Sequence, residues 1–400
     1  HNQSHAAWKI EPSCPIGYVI AGNKYFSSGN TSIYMTGFDE FGGHQWTRSH
    51  LAAGYSSLQS FWKSFVKAPD DSWITYFVVS AGEQSGHKAY ALALNSNGMK
   101  LWDWSSVLPM GIEFGGVTNA SNGGYIATGA TNAGQYAVVK FDPLGALQWA
   151  YQLPETGYGW SISQAVGGGY IIAGGMKAIK IDHLGNYQWT ANINLPASPS
   201  GAYTYGEFEE ITPLPDFTGF LVTGSCFSNS HSGVYTARVS YTGSVVWAKV
   251  NDQISTALAG TPVNWINNAV IDNFGNGITT SWRGGPVSAG GPMYYQRMNM
   301  AGTNIGGIGS LNNSITVREA FMTRAHSKYV IGGTRGNLTA AYSYVNTFLP
   351  FASKQDDRTE PLADTDPLLR LQTNASNAHP LFEAPEGSRV FASKMRVFPN

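Results

Sequence analysis

The chain has 400 residues, with 24 Lys and Arg against 25 Asp and Glu and a net charge of −1. Charged residues are 12% of the total, about half the usual share, and no Lys/Arg run exists, so the electrostatic footprint of a nucleic-acid or anionic-membrane partner is missing. No stretch of about 18 consecutive apolar residues occurs, so nothing reads as a membrane span.

Residues His1 to Ala7 read as a short polar lead. Trp8-Lys9-Ile10-Glu11 then opens a strand, and Gly17-Tyr18-Val19-Ile20 opens a second, ten residues later. A third strand runs into a tight turn, and a fourth is entered at Trp46. In this turn a small polar residue precedes Gly by three and Gly precedes Trp by four, as in Asp39-Gly42-Trp46.

The turn recurs as Asn95-Gly98-Trp102, Asp142-Gly145-Trp149, Asp182-Gly185-Trp189 and Ser240-Gly243-Trp247, and without its Trp as Asn299-Gly302-Gly306. The strand before each turn recurs as Tyr76-Phe77-Val78-Val79, Gly124-Tyr125-Ile126-Ala127, Gly169-Tyr170-Ile171-Ile172, Gly219-Phe220-Leu221-Val222, Gly277-Ile278-Thr279 and Tyr329-Val330-Ile331. Period-two alternation bounded by Gly and Asp is a β pattern. The turn positions are 56, 47, 40, 58 and 59 residues apart, the size of a four-stranded propeller blade with variable loops. Counting units predicts an all-β chain, a seven-bladed β-propeller of four-stranded antiparallel blades over residues 1–351, followed by an extended C-terminal tail.

The blades are expected to end near Leu51, Leu108, Leu153, Leu195, Val250, Gly309 and Phe351. Loops between second and third strands vary most, from Gly174-Gly175-Met176 in blade four to Asn23–Asn30, Ser225–Gly233 and Trp282–Pro292 elsewhere. They project from the face reached by the inter-blade connections, which is where loop diversity would select a ligand. Blade seven lacks the Gly-Trp turn; its outer strand is assigned to Phe348-Leu349-Pro350-Phe351, the N-terminal segment being the alternative donor. On these assignments Cys14 and Cys226, the only cysteines, lie in loops on opposite faces three blades apart. That is beyond the Cα separation of about 7 Å a disulfide tolerates, so two free thiols are expected.

Residues 352–394 lose the periodicity and gather charge and Pro, which reads as a polar linker. Residues 395–400, Met395-Arg396-Val397-Phe398-Pro399-Asn400, turn apolar again. The start at His1 is expected to follow removal of a targeting segment.

Among residues that carry chemistry, the turn Asp side chains are expected to cap their own hairpins, and the repeated Trp to pack between blades. First strands line the central channel, and three carry Glu near the start: Glu113, Glu207 and Glu319. Carboxylates there bind a cation, act as an acid/base pair, or simply line a wet tunnel. Trp62, Trp160 and Trp265 take similar channel-mouth or inner-strand positions, with Tyr158, Tyr203 and Tyr205 in the connections leading there. Aromatics at a propeller mouth suit carbohydrate or peptide binding. The nine His show no zinc-binding spacing, Gly-x-Ser-x-Gly is absent, and the Gly-rich segments open strands, so no metal or phosphate site is expected.

The Gly-Gly-Tyr strand with its Asp-x-x-Gly-x-x-x-Trp turn, over Trp8 to Phe351, resembles the seven-bladed propellers of exported Bacteroidetes proteins. Arg396-Val397-Phe398-Pro399-Asn400 resembles the opening of the C-terminal sorting domain of type IX secretion substrates, without the second Pro or the β-sandwich that should follow. The resemblance implies a secreted or cell-surface location. A looser similarity is to the tryptophan-docking repeats of pyrroloquinoline-quinone enzymes, but the turn here is one residue shorter and no adjacent Cys pair exists to flank a quinone, so no cofactor is expected. The leading expectation is a non-catalytic binding module, an adhesin-like protein or a subunit of an extracellular assembly. It would take a protein or glycan ligand on the variable-loop face and a neighbouring subunit through its tail. A glycoside hydrolase or lyase using the mouth carboxylates, and a structural spacer, are the alternatives.

Overall fold

A computed structural model of the chain describes the backbone of residues 4–13, 17–25, 31–39, 43–50, 57–59, 65–68, 72–80, 87–106, 113–121, 123–195, 203–228, 232–251, 263–271, 277–284, 293–311, 317–325, 328–337, 340–348, 360–361 and 372–373. Side chains are described for a smaller set, densest from 114 to 250.

Regular structure in these residues is entirely β-strand. Seven antiparallel sheets of three or more strands follow one another along the described chain. The first, third, fourth, fifth and sixth are four-stranded meanders. The fourth, for example, runs Ser161–Gln164, Tyr170–Gly174, Lys177–Ile181 and Tyr187–Asn192. From the third sheet to the seventh, the first strands pack on one another in order, and Ser4–Ser13 packs on all three strands of the seventh sheet. First strands are therefore innermost and the ring is closed by packing: the chain is a β-propeller.

The core lies in the seams between sheets, since each sheet must bury both faces against its neighbours. Ile126 and Val138 of the third sheet meet Ile172 and Ile179 of the fourth. Ile171 and Ala173 on the other face of the fourth meet Phe208 and Val222 of the fifth.

The repeated turn is built by short-range hydrogen bonds. Asp142 Oδ1 accepts from the backbone N–H of Leu144 (2.9 Å) and Ala146 (2.8 Å), and Gly145 N–H donates to the Asp142 carbonyl at 3.0 Å. Asp182, Asn95, Asn299 and Ser240 cap their own turns in the same way. The turn Gly also meets the preceding sheet. A Cβ on Gly145 (φ +85°) would lie 2.5 Å from Trp102 Cη2. Gly98 faces Trp46 in the same way, and a Cβ on Gly185, Gly243 or Gly302 would lie 2.9–3.1 Å from Trp149, Trp189 or Trp247. The Asp-x-x-Gly-x-x-x-Trp spacing is thus half of a lock whose other half lies in the next sheet. The Trp residues are half-buried against these turns.

Most first strands share one irregularity. Their pairing with the second strand skips a residue at Trp8, Gly115, Glu209, Asn267 and Arg318 in the first, third, fifth, sixth and seventh sheets, with a further skip at Asn264 in the sixth, while the short first strand of the fourth sheet pairs regularly. In the second sheet the inner strand is split at the same place into Ser57–Gln59 and Phe65–Lys67, both paired with Trp73–Ser80. An extra residue in one strand bends it and re-aims side chains, which matters for the site.

Several expectations shift. The lead is part of the first strand, which starts at Ser4. In the second sheet Trp73, opposite Leu94 as Tyr125 is opposite Phe141, holds the place read for Tyr76. Hairpins are longer and their loops shorter than read: Tyr25 and Phe227 end their second strands. Cys226 therefore lies within the second strand Gly219–Phe227 of the fifth sheet, fully buried, with its thiol donating to the Gly233 carbonyl oxygen at 3.5 Å. Cys14 lies outside the described residues. Phe348 ends the third strand of the seventh sheet rather than starting a fourth; residues 349–351 lie outside the described set. Within the linker, Glu360–Pro361 pairs antiparallel with Gln372–Thr373, and residues 395–400 are outside the described set. No helix of the described residues is long and apolar enough to cross a membrane.

Candidate functional site

Two first strands and the connections entering them build a cluster on the variable-loop face. The connection Gly157-Tyr158-Gly159-Trp160 carries the chain from the third sheet into the fourth. It is held by Gly157 N–H to the Gly134 carbonyl (2.9 Å), Gly159 N–H to Gly129 (3.1 Å) and Trp160 N–H to Ala173 (2.8 Å). Its backbone lies directly on the fourth sheet: a Cβ at Gly174 would collide with the Tyr158 carbonyl oxygen. The Tyr158 and Trp160 rings contact each other, with centroids 4.2 Å apart and 33° between planes.

The first strand of the fifth sheet, Tyr205–Pro213, brings the carboxylate. The Trp160 indole N–H donates to Glu207 Oε1, and the Tyr205 hydroxyl donates to Oε2 at 2.8 Å. The next residue anchors the strand, with Phe208 N–H donating to the Gly175 carbonyl at 2.6 Å. Tyr205, 50% exposed, stacks on Phe227 with centroids 6.3 Å apart. Behind them the buried Tyr136 of the third sheet donates to the Gly174 carbonyl at 2.6 Å. At the rim Lys177 and Glu155 form an ion pair of 2.6 Å.

The charge of Glu207 is felt throughout the cluster. Burial, then the Glu207 hydrogen bond and charge, push the Tyr205 hydroxyl well above its ordinary value. Burial, then Glu207 and Glu155, do the same for Tyr136. Lys177 holds the Glu155 carboxyl below the usual range against a smaller opposing effect of burial. Glu209, the bulge residue, is buried and accepts from the Ser225 hydroxyl at 2.8 Å.

The three sequence candidates on first strands are not one ring. Glu113 and Glu207 each stand two residues before their bulges, and Glu319 stands one after its own. Glu207 meets Trp160 at the seam between the fourth and fifth sheets. The residues after the bulge in the first and fifth sheets come within electrostatic reach of each other: Lys9 of the first sheet pairs with Glu11 at 2.9 Å, donates to the Phe65 carbonyl at 3.0 Å, and feels Glu210 of the fifth sheet. Burial opposes the Lys9 ammonium, but Glu11 and Glu210 together outweigh it and hold its pKa above the ordinary value. Glu319 shares this register level with Lys9 and Glu210. Of the Trp candidates, Trp160 joins Glu207, and Trp265 lies on the first strand of the sixth sheet. Trp62 falls between the two halves of the split strand, outside the described residues; the side chains of Glu113, Glu319 and Trp265 are not among those described. Sequence reading missed Tyr136, Phe227, Lys9 and Glu210. Only the Glu-Phe-Glu-Glu run marks Glu210, and which of its carboxylates faces which way depends on the bulge.

No group of three or more His, Cys, Asp or Glu side chains is placed to hold a metal ion among the described residues. No protein-family model matches the chain, and no curated protein matches it in sequence. Solved structures do match in shape. A candidate 6-phosphogluconolactonase of Bacteroides fragilis is 13% identical with a TM-score of 0.50, covering 83% of this chain and 95% of that one. The periplasmic gluconolactonase of Pseudomonas aeruginosa is 10% identical with a TM-score of 0.49, covering 85% and 94%. Sqt1 of Chaetomium thermophilum is 10% identical with a TM-score of 0.49, covering 86% and 96%. At such identities the first of these likenesses speaks for fold alone, and it agrees with the sheet order: the chain folds as a β-propeller.

Proposed function

We propose that this propeller is a binding module that takes a partner on its variable-loop face, at the seam holding Tyr158, Trp160, Tyr205 and Glu207. The observation that carries this reading is the convergence, from two sheets, of exposed and half-buried aromatic rings on one carboxylate. Apolar surface with a few placed polar groups is what recognition sites consist of. Arg396-Val397-Phe398-Pro399-Asn400 supports placing the module outside the cell, secreted or attached to the surface, and the tail as a second handle for a neighbouring subunit.

The test is capture of partners from the medium and cell surface by the immobilised chain, identified by mass spectrometry and repeated with Trp160→Ala combined with Glu207→Gln. Partners kept by the parent and lost by the variant support the reading. Identical partner sets for both oppose it.

A carbohydrate-active enzyme is the second reading, favoured by the way indole and phenol donors orient Glu207, since oriented carboxylates move protons. Turnover on a glycan panel that Glu207→Gln abolishes would decide for it.

A further inference from the structure

We propose that Glu207 is the docking point for a cationic side chain, Lys or Arg, of a protein partner; this rests on the reading that the face around it binds. The carboxylate accepts one hydrogen bond per oxygen, both from neutral donors, the Trp160 indole and the Tyr205 hydroxyl. A carboxylate presents about four acceptor positions, so the two neutral donors leave room on it. No Lys, Arg or His among the described residues forms an ion pair with it, while the other carboxylate at the rim, Glu155, is neutralised by Lys177.

Half-burying a charge without a counter-ion costs free energy that a ligand cation recovers on binding. Burial first, then the hydrogen bond and charge of Glu207 and the charge of Glu209, raise the Tyr205 hydroxyl pKa, so both carboxylates act on this spot. Beside the carboxylate, the stacked Tyr205 and Phe227 rings offer an apolar wall for the methylene stem that Lys and Arg carry. A neutral sugar would satisfy the acceptor positions but leave the charge unpaired.

The experiment uses the full chain and four small probes: the Nα-acetyl amides of arginine and lysine, their neutral analogue from citrulline, and a neutral oligosaccharide. The readout is the NMR resonance of the Trp160 indole N–H, assigned by its loss in Trp160→Phe, because that proton sits on the Glu207 carboxylate. Arginine and lysine amides should shift it saturably in the millimolar range. Affinity should weaken about fivefold when NaCl rises from about 0.02 M to about 0.5 M. Citrulline amide should do nothing, and Glu207→Gln, with an unchanged amide spectrum, should abolish binding.

Equal shifts by citrulline amide or the oligosaccharide, or arginine binding that survives Glu207→Gln, would overturn the assignment. So would silence with both cations. If the capture experiment still depends on Trp160 and Glu207 in those cases, the binding face stands and only the class of its ligand has been misjudged. Should Glu207→Gln misfold, Phe227→Ala is the second variant. It should weaken arginine and lysine amides without creating citrulline binding; full cation affinity in it would remove the stem-binding wall from the proposal.

Discussion

Replacing Gly145 by Ala isolates the contact that joins one sheet to the next. Gly145 has φ +85° and a new Cβ would lie 2.5 Å from Trp102 Cη2, closer than Cβ atoms come to their neighbours, and 3.0 Å from Cε3. Two costs follow. Holding Ala in the left-handed region costs about 1–2 kcal/mol, and displacing a packed indole adds about 1–3 kcal/mol. Gly134 supplies the control: its φ is +74° and nothing lies within 4 Å of a Cβ built there, so Gly134→Ala carries the first cost alone. Urea unfolding followed by tryptophan fluorescence should show Gly145→Ala losing about 2–5 kcal/mol and Gly134→Ala about 1–2 kcal/mol. Because the excess belongs to a pair, Trp102→Leu in the Gly145→Ala background should recover part of it, a positive coupling in the double-mutant cycle. Equal losses for the two Gly variants, with strictly additive Trp102→Leu, would refute the claim that the turn Gly is demanded by the neighbouring sheet.

Asp182 accepts from the N–H groups of Leu184 and Asn186 and from the Asn186 side chain, all at 2.8 Å, so Asp182→Ala should cost about 1–2 kcal/mol in the same urea assay. Burial acts to raise the Asp182 pKa, but those hydrogen bonds outweigh it and lower it. A lowered folded-state pKa means stability that is complete above the unfolded value, about 3.9, and is lost as pH falls through the lowered one. Melting temperatures scanned from neutral to acid pH should therefore fall less steeply for Asp182→Asn, which keeps an acceptor but does not titrate. Lys9→Met removes the cation that pairs with Glu11 and feels Glu210, and should destabilise by about 1–3 kcal/mol. Since the Lys9 pKa is raised, its contribution is present below the unfolded lysine value, about 10.4, and disappears as pH rises through the folded one. The parent should accordingly lose more stability than Lys9→Met between neutral and strongly alkaline pH.

What was legible in the sequence was whatever is decided within one hairpin. The Gly and Asp of each turn act on residues two to four positions away, and strand alternation repeats every second residue, so seven units can be counted in the sequence. The second sheet shows where this fails: Ser57–Gln59 and Phe65–Lys67 pair separately with Trp73–Ser80, and no spacing rule anticipated that Trp73, not Tyr76, would take the repeated aromatic place. Cys226 was misplaced for a related reason, because a hairpin extends as far as its partner strand allows and sequence marks only where it can stop.

The candidate site depended on longer-range geometry. Trp160 and Glu207 are 47 residues apart, and each was recognisable as a mouth residue alone. Their meeting requires that the connection into the fourth sheet and the first strand of the fifth lie side by side. It also requires a bulge at Glu209, which separates the direction of Glu207 from that of Glu210. Local chemistry alone thus determined that this chain makes Gly-punctuated four-stranded sheets, because a turn's hydrogen bonds close over a few residues. Which carboxylate comes within reach of Lys9, which meets Trp160 at a seam, and which is left without a counter-ion was decided only by ring closure and strand register, since those positions are set by contacts between residues far apart in the chain.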